Sequence, residues 1–422
     1  MHIGCSHNVE TIAAESIAQV VNAGLCIGCG LCEAISNRKI KMQMNIAGSL
    51  KPVPDNGFTK QEERLLLSVC PGIHITPRQQ SDHPVNVNTA TFSSDEIWGE
   101  YTSMRYAWAA TPKVRHIGST GGVLTALAHH LLNTRQVAFI YHVKADPAAP
   151  VQSIATVSET ADDVLSGAGS RYGPVAPLTG LLAALDRDAP FAVVGKPCDL
   201  SAIHNMAKHD NRINKLITHR LAMVCGGQST AQKSREILHN AAIQEHTVTL
   251  YRHRGYGNPG PTRIESSDGK TLEISYQNLW KDESSWGIEP RCKLCPDALG
   301  EAADIAAADV WPGGSPEGED EGFNGIVTRS LVGENLIRDA EEAGELILGD
   351  HISPQQFNDF QPHQVRKKRS LQSRYLGLRD AKLPDINAPY SRLDSLGSAL
   401  DSHTKEKERA GTARRFGKAP QE

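Results

Sequence analysis

The stretch Arg291–Asp297, with the sequence RCKLCPD, places two thiols three positions apart late in a chain of 422 residues. Two single cysteines lie upstream, Cys198 in the sequence GKPC and Cys225 in the sequence VCGG. Each follows an apolar run, residues 191–194 and 217–224, that predicts a buried strand. Because α/β sheets place ligands past the carboxyl ends of their strands, we expect these four thiols to surround one iron–sulfur cluster. The segments between them would form the walls of a redox site.

A second group of cysteines lies near the start of the chain and has the spacing CxxCxxC followed by a distant Cys-Pro. Its members are Cys26, Cys29, Cys32 and Cys70. Thiolates are soft ligands that suit iron–sulfur clusters, and Gly28 and Gly30 would let backbone amides approach the sulfurs. A ferredoxin motif usually has its fourth cysteine at the position that Ser36 occupies here. Which four cysteines form each set therefore stays open. A structural zinc site also takes four thiolates, but the triplet favours a cluster.

The bulk composition narrows the class of protein. Nine cysteines in a chain without a signal-peptide pattern favour metal binding over disulfides, because the cytosol keeps thiols reduced. Eight of them sort into two sets of four, and Cys5 is left over. The net charge of −4 argues against a nucleic-acid binder. No apolar run is long enough for a transmembrane helix, so we expect a soluble cytoplasmic protein without a membrane partner.

A glycine-rich turn, GSTGG at residues 118–122, precedes an apolar helix that begins near Val123. Backbone N–H groups at a helix start, with little side-chain bulk around them, form an anion site fit for a phosphate. The turn has neither the P-loop nor the GxGxxG spacing. By itself it is also what an ordinary turn before a helix looks like.

Six motifs in a fixed order resemble the FrhB/FdhB family. They are GSTGGVLTAL at 118–127, GSRY at 169–172, GKPC at 195–198, CGG at 225–227, RCxxCxD at 291–297 and ADIAAADVW at 303–311. The family comprises beta subunits of hydrogenases and formate dehydrogenases that reduce the deazaflavin coenzyme F420. It also includes the plant 7-hydroxymethyl chlorophyll a reductase and a ferredoxin-dependent divinyl-chlorophyllide vinyl reductase. The similarity covers residues 20–385, although Ala308 stands where the family usually has glycine.

The resemblance implies an iron–sulfur flavoprotein with FAD and two 4Fe–4S clusters. It implies that the flavin lies against the turn Gly118, Ser119, Thr120, Gly121 and Gly122, with Tyr172 and Lys196 lining its pocket. It assigns the inner cluster to Cys198, Cys225, Cys292 and Cys295. Similarity to the plant enzyme assigns an outer cluster to the N-terminal cysteines.

The expected fold is α+β (mixed α/β), with a ferredoxin-like cluster segment followed by an α/β core that binds FAD and an iron–sulfur cluster. Residues 1–80 would form the ferredoxin-type segment, 98–180 a domain with the flavin turn, and 185–350 a domain with the inner cluster. Residues 351–422 read as a polar and basic extension whose end, from about residue 398, is predicted to be disordered.

The expected function is an oxidoreductase that passes electrons between a ferredoxin-like or deazaflavin carrier and a small organic substrate. Lys196 and His116 are the candidate catalytic residues, with Asp309 as a further general acid. His116 is also read as a merely exposed side chain, and Lys196 as a flavin contact. The basic run at 366–369 is a solvated face or a docking site for an acidic ferredoxin.

Two other functions fit the same sequence. One is a non-catalytic electron-transfer beta subunit of a hydrogenase or dehydrogenase complex, and the other is a zinc-stapled binding protein. The chain is expected either to form a homo-oligomer or to join a larger redox complex.

Overall fold

A computed structural model describes residues 12–55, 57–78, 92–390 and 392–417. Cys5 and residues 418–422, for which we made sequence predictions, lie outside this part of the chain. The strands are β1 Ile40–Met44, β2 Leu50–Pro54, β3 Ser93–Asp95, β4 Gly99–Tyr101, β5 Ser103–Ala109, β6 Phe139–Ala145, β7 Ser153–Ser158, β8 Phe191–Gly195, β9 Ile217–Met223, β10 Val248–Arg252, β11 Thr262–Ser266, β12 Thr271–Ile274, β13 Ile305–Asp309, β14 Asn324–Thr328 and β15 Leu346–His351.

The helices pack around these strands and connect them. They are α1 Ile17–Asn22, α2 Leu31–Ile35, α3 Lys60–Val69, α4 Pro112–Ile117, α5 Val123–Asn133, α6 Ala161–Ser166, α7 Leu181–Leu185, α8 Pro197–Met206, α9 Arg212–Leu216, α10 Gln232–Asn240, α11 Tyr276–Trp280, α12 Leu331–Glu342, α13 Pro354–Phe360, α14 Pro362–Asp380, α15 Arg392–Ser398 and α16 Ser402–Phe416. The expected mixed α/β architecture is confirmed.

An eight-stranded sheet with the order β15-β5-β14-β13-β9-β8-β6-β7 is the centre of the fold. The pairs β13/β9, β9/β8 and β8/β6 are parallel, and the outer pairs are antiparallel. The segments 98–180 and 185–350, predicted as separate domains, therefore both contribute strands to one sheet. The four parallel strands end at the same edge, which we call the carboxyl edge.

Helices cover both faces of this sheet, as buried parallel strands require. Side chains of β8 alternate between the two faces, because successive residues of a strand point in opposite directions. Phe191 and Val193 pack with α7 and α8, whereas Ala192 packs with α5 and α12 on the other side. The strand ends are thereby held in place, and the loops that follow them are positioned at the carboxyl edge.

The N-terminal cysteine segment contains short helices and the antiparallel hairpin β1/β2. Helix α3 begins at a capping box, in which Thr59 and Glu62 each accept a hydrogen bond from the other's backbone N–H. The helix ends at Cys70, whose extended backbone turns the chain away. A well-defined helix start and end thus fix where the Cys70 thiol lies.

The end of the chain forms a helix up to residue 416, so the prediction of disorder from residue 398 is wrong over that range. Helix α16 packs on α14, where Arg409 pairs with Asp380 and Arg374 pairs with Glu408. Phe416 is buried against residues of the N-terminal segment. The charged composition that indicated disorder instead supplies ion pairs between two helices, which only the tertiary packing reveals.

Candidate functional site

The four N-terminal cysteines line one pocket. Cys26 and Cys29 lie in the loop after α1, Cys32 lies on α2, and Cys70 follows α3. The loop geometry depends on Gly28, whose φ is +72° and whose N–H donates to Cys26 Sγ at 3.4 Å. A Cβ at this position would lie 2.6 Å from a backbone oxygen of β2, so only glycine fits. We call this group of four thiols the outer quartet.

The other four predicted ligands line a second pocket. Cys198 lies at the start of α8 and Cys225 follows β9, while Cys292 and Cys295 lie on and directly after the 3-10 helix Pro290–Leu294. The backbone N–H of Gln228 donates to Cys292 Sγ at 3.4 Å. These thiols, the inner quartet, lie at the carboxyl edge as the strand positions predicted.

Burial raises the pKa of every thiol in both quartets. For Cys70 it raises the pKa to about 12. Neighbouring thiols raise the pKa further within a quartet, as Cys225 and Cys295 do for Cys198. Thiols with raised pKa values stay protonated and neutral, so a metal bound in either quartet would have to displace their protons.

The thiols surround space without meeting at a point. All eight are free of disulfides. Within the described residues, no three His, Cys, Asp or Glu side chains lie close enough together to hold a single metal ion. A tetrahedral zinc site needs such convergence, whereas a cluster of several irons separates its four thiolates. Four thiols around each pocket are the donor set that a four-iron cluster uses.

The two pockets share a wall. Ile27, from the loop of the outer quartet, and Pro71, next to Cys70, line both of them. Gln228 also joins the two sites, because its side-chain amide donates to Ile27 O at 3.0 Å while its backbone contacts Cys292. The quartets are thus neighbours with few side chains between them.

The glycine-rich turn lies at the same edge of the sheet. It leads into α5 and packs against the start of β14, where Val123 N donates to Asn324 Oδ1 at 3.3 Å. Within the described part of the chain, no group accepts a hydrogen bond from the backbone N–H groups of Ser119, Thr120 and Gly121. Free donors at the start of an 11-residue helix fit a phosphate or another anion.

Arg254 is the cation of this turn, and we did not single it out from the sequence. Its guanidinium donates to Ser119 O at 2.5 Å and pairs with Asp309 at 3.0 Å, while Thr120 donates to the other oxygen of Asp309. Burial opposes the charge, but Asp309 and Tyr172 raise the pKa of Arg254, which stays charged. Arg252 lies beside it and donates to Ile117 O at 3.0 Å.

Aromatic rings, those of Tyr276 and Trp311 among them, lie against Arg254 in this site. Tyr172, a predicted flavin contact, lies 5.1 Å from the Trp280 ring and 5.6 Å from the Trp286 ring. Trp311 lies 4.8 Å from the Arg254 guanidinium, and its buried indole N–H has no hydrogen-bond acceptor in the described structure. An indole donor without a partner, next to free backbone donors and a charged arginine, fits the polar parts of a bound cofactor.

The two candidate catalytic residues lie apart from each other. Lys196 follows β8, lines the pocket of the inner quartet and pairs with buried Asp199 at 2.9 Å. Burial alone would lower the pKa of Lys196, but Asp199 and the thiols of Cys198 and Cys225 raise it. His116 is exposed at the end of α4, with its ring 6.0 Å from that of Tyr256. Their catalytic roles stay predictions.

The basic run at 366–369 is divided between three environments. Arg366 and Arg369 are exposed, whereas Lys367 lines the pocket of the inner quartet. Lys368 is buried and pairs with Glu301 at 2.5 Å. An α-helix sends consecutive residues in different directions, so a run that looks like one charged face also supplies a cation to the thiols.

Several residues of the site escaped the sequence reasoning. Arg252 and Arg254 were not singled out, although an RHR sequence at a strand end is an available signal. Lys51, on β2, donates to Cys26 O at 2.7 Å and pairs with Glu289 at 2.8 Å. Nothing near Lys51 in the sequence indicates this contact, because its partners lie 25 and 238 positions away.

No helix among the described residues is long and apolar enough to cross a membrane.

Comparison with known proteins gives a consistent picture. Residues 104–183 match the family described as coenzyme F420 hydrogenase/dehydrogenase, beta subunit N-term, and residues 188–353 match the C terminus of the same beta subunit. The outer quartet and helices α14 to α16 lie outside these ranges. Together the two matches cover more than half of the chain.

Individual relatives have low sequence identity. The chain is 28% identical over 244 residues to the beta subunit of F420-dependent formate dehydrogenase 1 of Methanococcus maripaludis, a match that covers 57% of this chain and 60% of that one. It is 21% identical over 345 residues to one of the subunits of the F(420)H(2) dehydrogenase of Methanosarcina mazei, covering 78% and 87%. The chain spans 60% and 55% of the lengths of two formate dehydrogenase beta subunits that it matches.

A solved structure shares the fold. A chain in the xenon-derivatized F420-reducing [NiFe] hydrogenase complex from Methanosarcina barkeri superposes with a TM-score of 0.54 at 18% identity. The superposition covers 71% of this chain and all of the other. At this identity the likeness concerns the fold alone.

Proposed function

Because the chain belongs to the family of coenzyme F420 hydrogenase/dehydrogenase beta subunits, we propose that it transfers electrons between a deazaflavin or ferredoxin-like carrier and a redox partner. The transfer would run through two 4Fe–4S clusters and one FAD. The outer quartet would hold one cluster and the inner quartet the other. The FAD would lie between the glycine-rich turn at 118–122 and the aromatic side chains that lie against Arg254.

One observation carries this proposal: two neighbouring pockets are each lined by four cysteines and share the wall formed by Ile27 and Pro71. Electron transfer needs groups placed close together, and the two quartets meet that need without any movement of the chain. A metal site that only stabilises the fold would require only one quartet. Two of them side by side support a conducting role over a purely structural one.

The carboxyl edge supports a continuation of the path from the inner quartet toward the turn. Cys225 follows β9, and Asp309 ends the adjacent parallel strand β13. Asp309 in turn contacts Thr120 of the turn and Arg254. FAD, when bound there, would convert a hydride from a deazaflavin coenzyme into two single electrons and one proton.

The residues of this chain would orient the cofactor and handle charge. The free N–H groups of Ser119, Thr120 and Gly121, with Arg254, would bind its phosphates. The exposed ring of His116, two residues before the turn begins, would exchange the proton with solvent. Lys196 would hold the loop of the inner quartet through its pair with Asp199.

The names of the relatives support a role within a larger complex, since they are subunits of a formate dehydrogenase and of an F(420)H(2) dehydrogenase. A second candidate is a self-standing reductase of a small organic substrate that accepts electrons from an acidic ferredoxin. The exposed cations Arg366 and Arg369, beside the inner quartet, favour this candidate.

The decisive test is the cofactor content of the full chain purified without oxygen. About eight irons per chain, with equal acid-labile sulfide, are expected from two four-iron clusters, together with one FAD released on denaturation. Zinc without flavin would refute the proposal. Iron without FAD would refute the flavin site and leave only the electron path between the quartets.

A second experiment separates the two candidate functions. Reduced coenzyme F420 and reduced ferredoxin are each mixed with the purified chain, and bleaching of the cluster absorption is followed over time. Reduction by the deazaflavin alone supports the role in a larger complex, and reduction by ferredoxin alone supports the reductase. Arg366→Gln should slow only the ferredoxin reaction, most at low salt, and unchanged rates would exclude docking there.

A further inference from the structure

Arg291 is a buried cation between the two quartets. Its side chain is among the largest that are fully buried, with 1% of its surface exposed. Its Nε donates to Gly72 O at 2.6 Å and its Nη2 to Pro71 O at 3.1 Å, next to Cys70 of the outer quartet. Its Nη1 donates to Leu294 O at 3.0 Å, next to Cys295 of the inner quartet.

The guanidinium has hydrogen bonds but no anionic partner. Within the described residues, no carboxylate forms an ion pair with Arg291, and its three acceptors there are carbonyl oxygens. The buried cations Lys368 and Arg254, in contrast, each pair with a carboxylate. A buried charge without compensation is costly, so the anion that balances Arg291 must come from elsewhere in its surroundings.

A four-iron cluster held by four thiolates carries net negative charge and would supply that anion in each quartet. The carbonyls of Pro71 and Gly72 follow Cys70 directly and that of Leu294 precedes Cys295 directly, so the guanidinium lies beside one cysteine of each quartet. It also lines the pocket of the inner quartet. Another cation, Lys367, lines the pocket of the inner quartet and not that of the outer quartet.

We propose that Arg291 is the shared counter-cation of both cysteine sites and sets the reduction potentials of the two clusters together. This inference rests on the proposed function, because it requires clusters in both quartets. Each one-electron reduction makes the charge that faces Arg291 more negative by one. A fixed cation stabilises that reduced form, and because it contacts both loops it acts on both sites.

The consequence is a matched pair of potentials. Electrons move freely between two neighbouring sites only when neither is much harder to reduce than the other. A cation that raised the potential of one cluster alone would make that cluster easier to reduce than its neighbour. Arg291 is therefore a positioning residue, and its role can be measured in the midpoint potentials of the two clusters as well as in turnover.

The test measures both midpoint potentials in anaerobically purified full-length protein, by dithionite titration followed by electron paramagnetic resonance. Cys292→Ser, which should remove the inner cluster, assigns the two signals. Arg291→Met should make both clusters about tenfold harder to reduce, equivalent to about 59 mV for a one-electron couple. The single-site control is Lys367→Met, expected to shift only the inner signal.

The outcomes separate this inference from the proposed function. Wild-type protein without two clusters would refute the proposed function before any variant is compared. Two clusters of which Arg291→Met shifts one or neither would refute only the shared cation. Should Arg291→Met fail to retain iron, Arg291→Lys decides, because it keeps the charge. If Arg291→Lys keeps the reduction equilibrium constants of both clusters within about threefold of wild type, the proposal is supported. A shift at one site alone would overturn it.

Discussion

Replacing Lys368 by methionine tests how the C-terminal helix α14 is held over the inner quartet. The Lys368 ammonium pairs with Glu301 at 2.5 Å and donates to Ile97 O at 2.8 Å, and both side chains of the pair are only 4% exposed. Removing one partner of a buried pair typically costs 3–5 kcal/mol, because the other charge is left without compensation. Arg392 still contacts Glu301 in the variant, so we expect the lower end, about 3 kcal/mol.

The assay is equilibrium urea unfolding of the anaerobic protein, followed by tryptophan fluorescence. Trp98 is fully buried in the hydrophobic cluster that also contains Leu371 of α14, so its emission reports on this region. Arg369→Met is the matched control, since it removes the same charge from an exposed position one residue away. It should change the free energy of unfolding by less than about 0.5 kcal/mol.

The same variant should also weaken the inner site. Gln364, one helical turn before Lys368, donates to Cys225 O at 2.8 Å, and Lys367, directly before Lys368, lines the inner pocket. Loosening α14 should therefore speed the loss of inner-site iron to a chelator, while the outer quartet keeps its iron. A Lys368→Met protein as stable as the Arg369→Met protein, with equal iron retention, would refute this account of the anchor.

Three further predictions address other parts of the structure. Gly121→Ala should lower the free energy of unfolding by 1–3 kcal/mol and abolish FAD binding, because its Cβ would lie 2.8 Å from a backbone nitrogen of β14. The control is Gly226→Ala, since Gly226 has open space around it. Thermal unfolding and flavin content should be unchanged in this control. Cys292→Ser and Cys29→Ser should each halve the iron content and remove different paramagnetic signals; loss of both signals from one substitution would contradict two independent sites. Burial lowers the pKa of His142 to about 4 from an ordinary 6.5. The free energy of unfolding should therefore fall by about 2.5 kcal/mol as the pH falls from above 6.5 to 4.5, because the unfolded chain takes up the proton first. Urea titrations at several pH values should show a flatter dependence for His142→Gln.

The local patterns in the sequence were good guides to individual elements. The apolar runs at 191–194 and 217–224 are strands β8 and β9, and the helix after the glycine-rich turn begins at Val123. Helix α12 is capped by Ser330, whose side chain accepts a hydrogen bond from Gly333 N, three residues away. These features depend on residues close in sequence, which is why a single sequence contains them.

Contacts between distant segments could not be predicted in this way. Arg254 reaches Ser119 from 135 positions away, and Lys51 reaches Glu289 from 238 positions away. The motif at 303–311 was identified by resemblance, yet its role as the buried strand β13, which brings Asp309 beside the turn, depends on pairing with β9 and β14. Strand pairing of this kind is decided by the packing of the whole sheet.

The sequence by itself determined the number and spacing of the candidate ligands, which are eight cysteines in two groups, and the glycine-rich turn before a helix. The spacing is local chemistry, because a ligand loop needs small residues and fixed intervals regardless of the rest of the fold. Only the tertiary structure decided that the quartets share a wall at Ile27 and Pro71, and that the RCKLCPD stretch contributes a buried arginine facing both. The position of that charge depends on which loops meet across more than 200 residues of chain, and therefore on how the large sheet and the C-terminal helices pack.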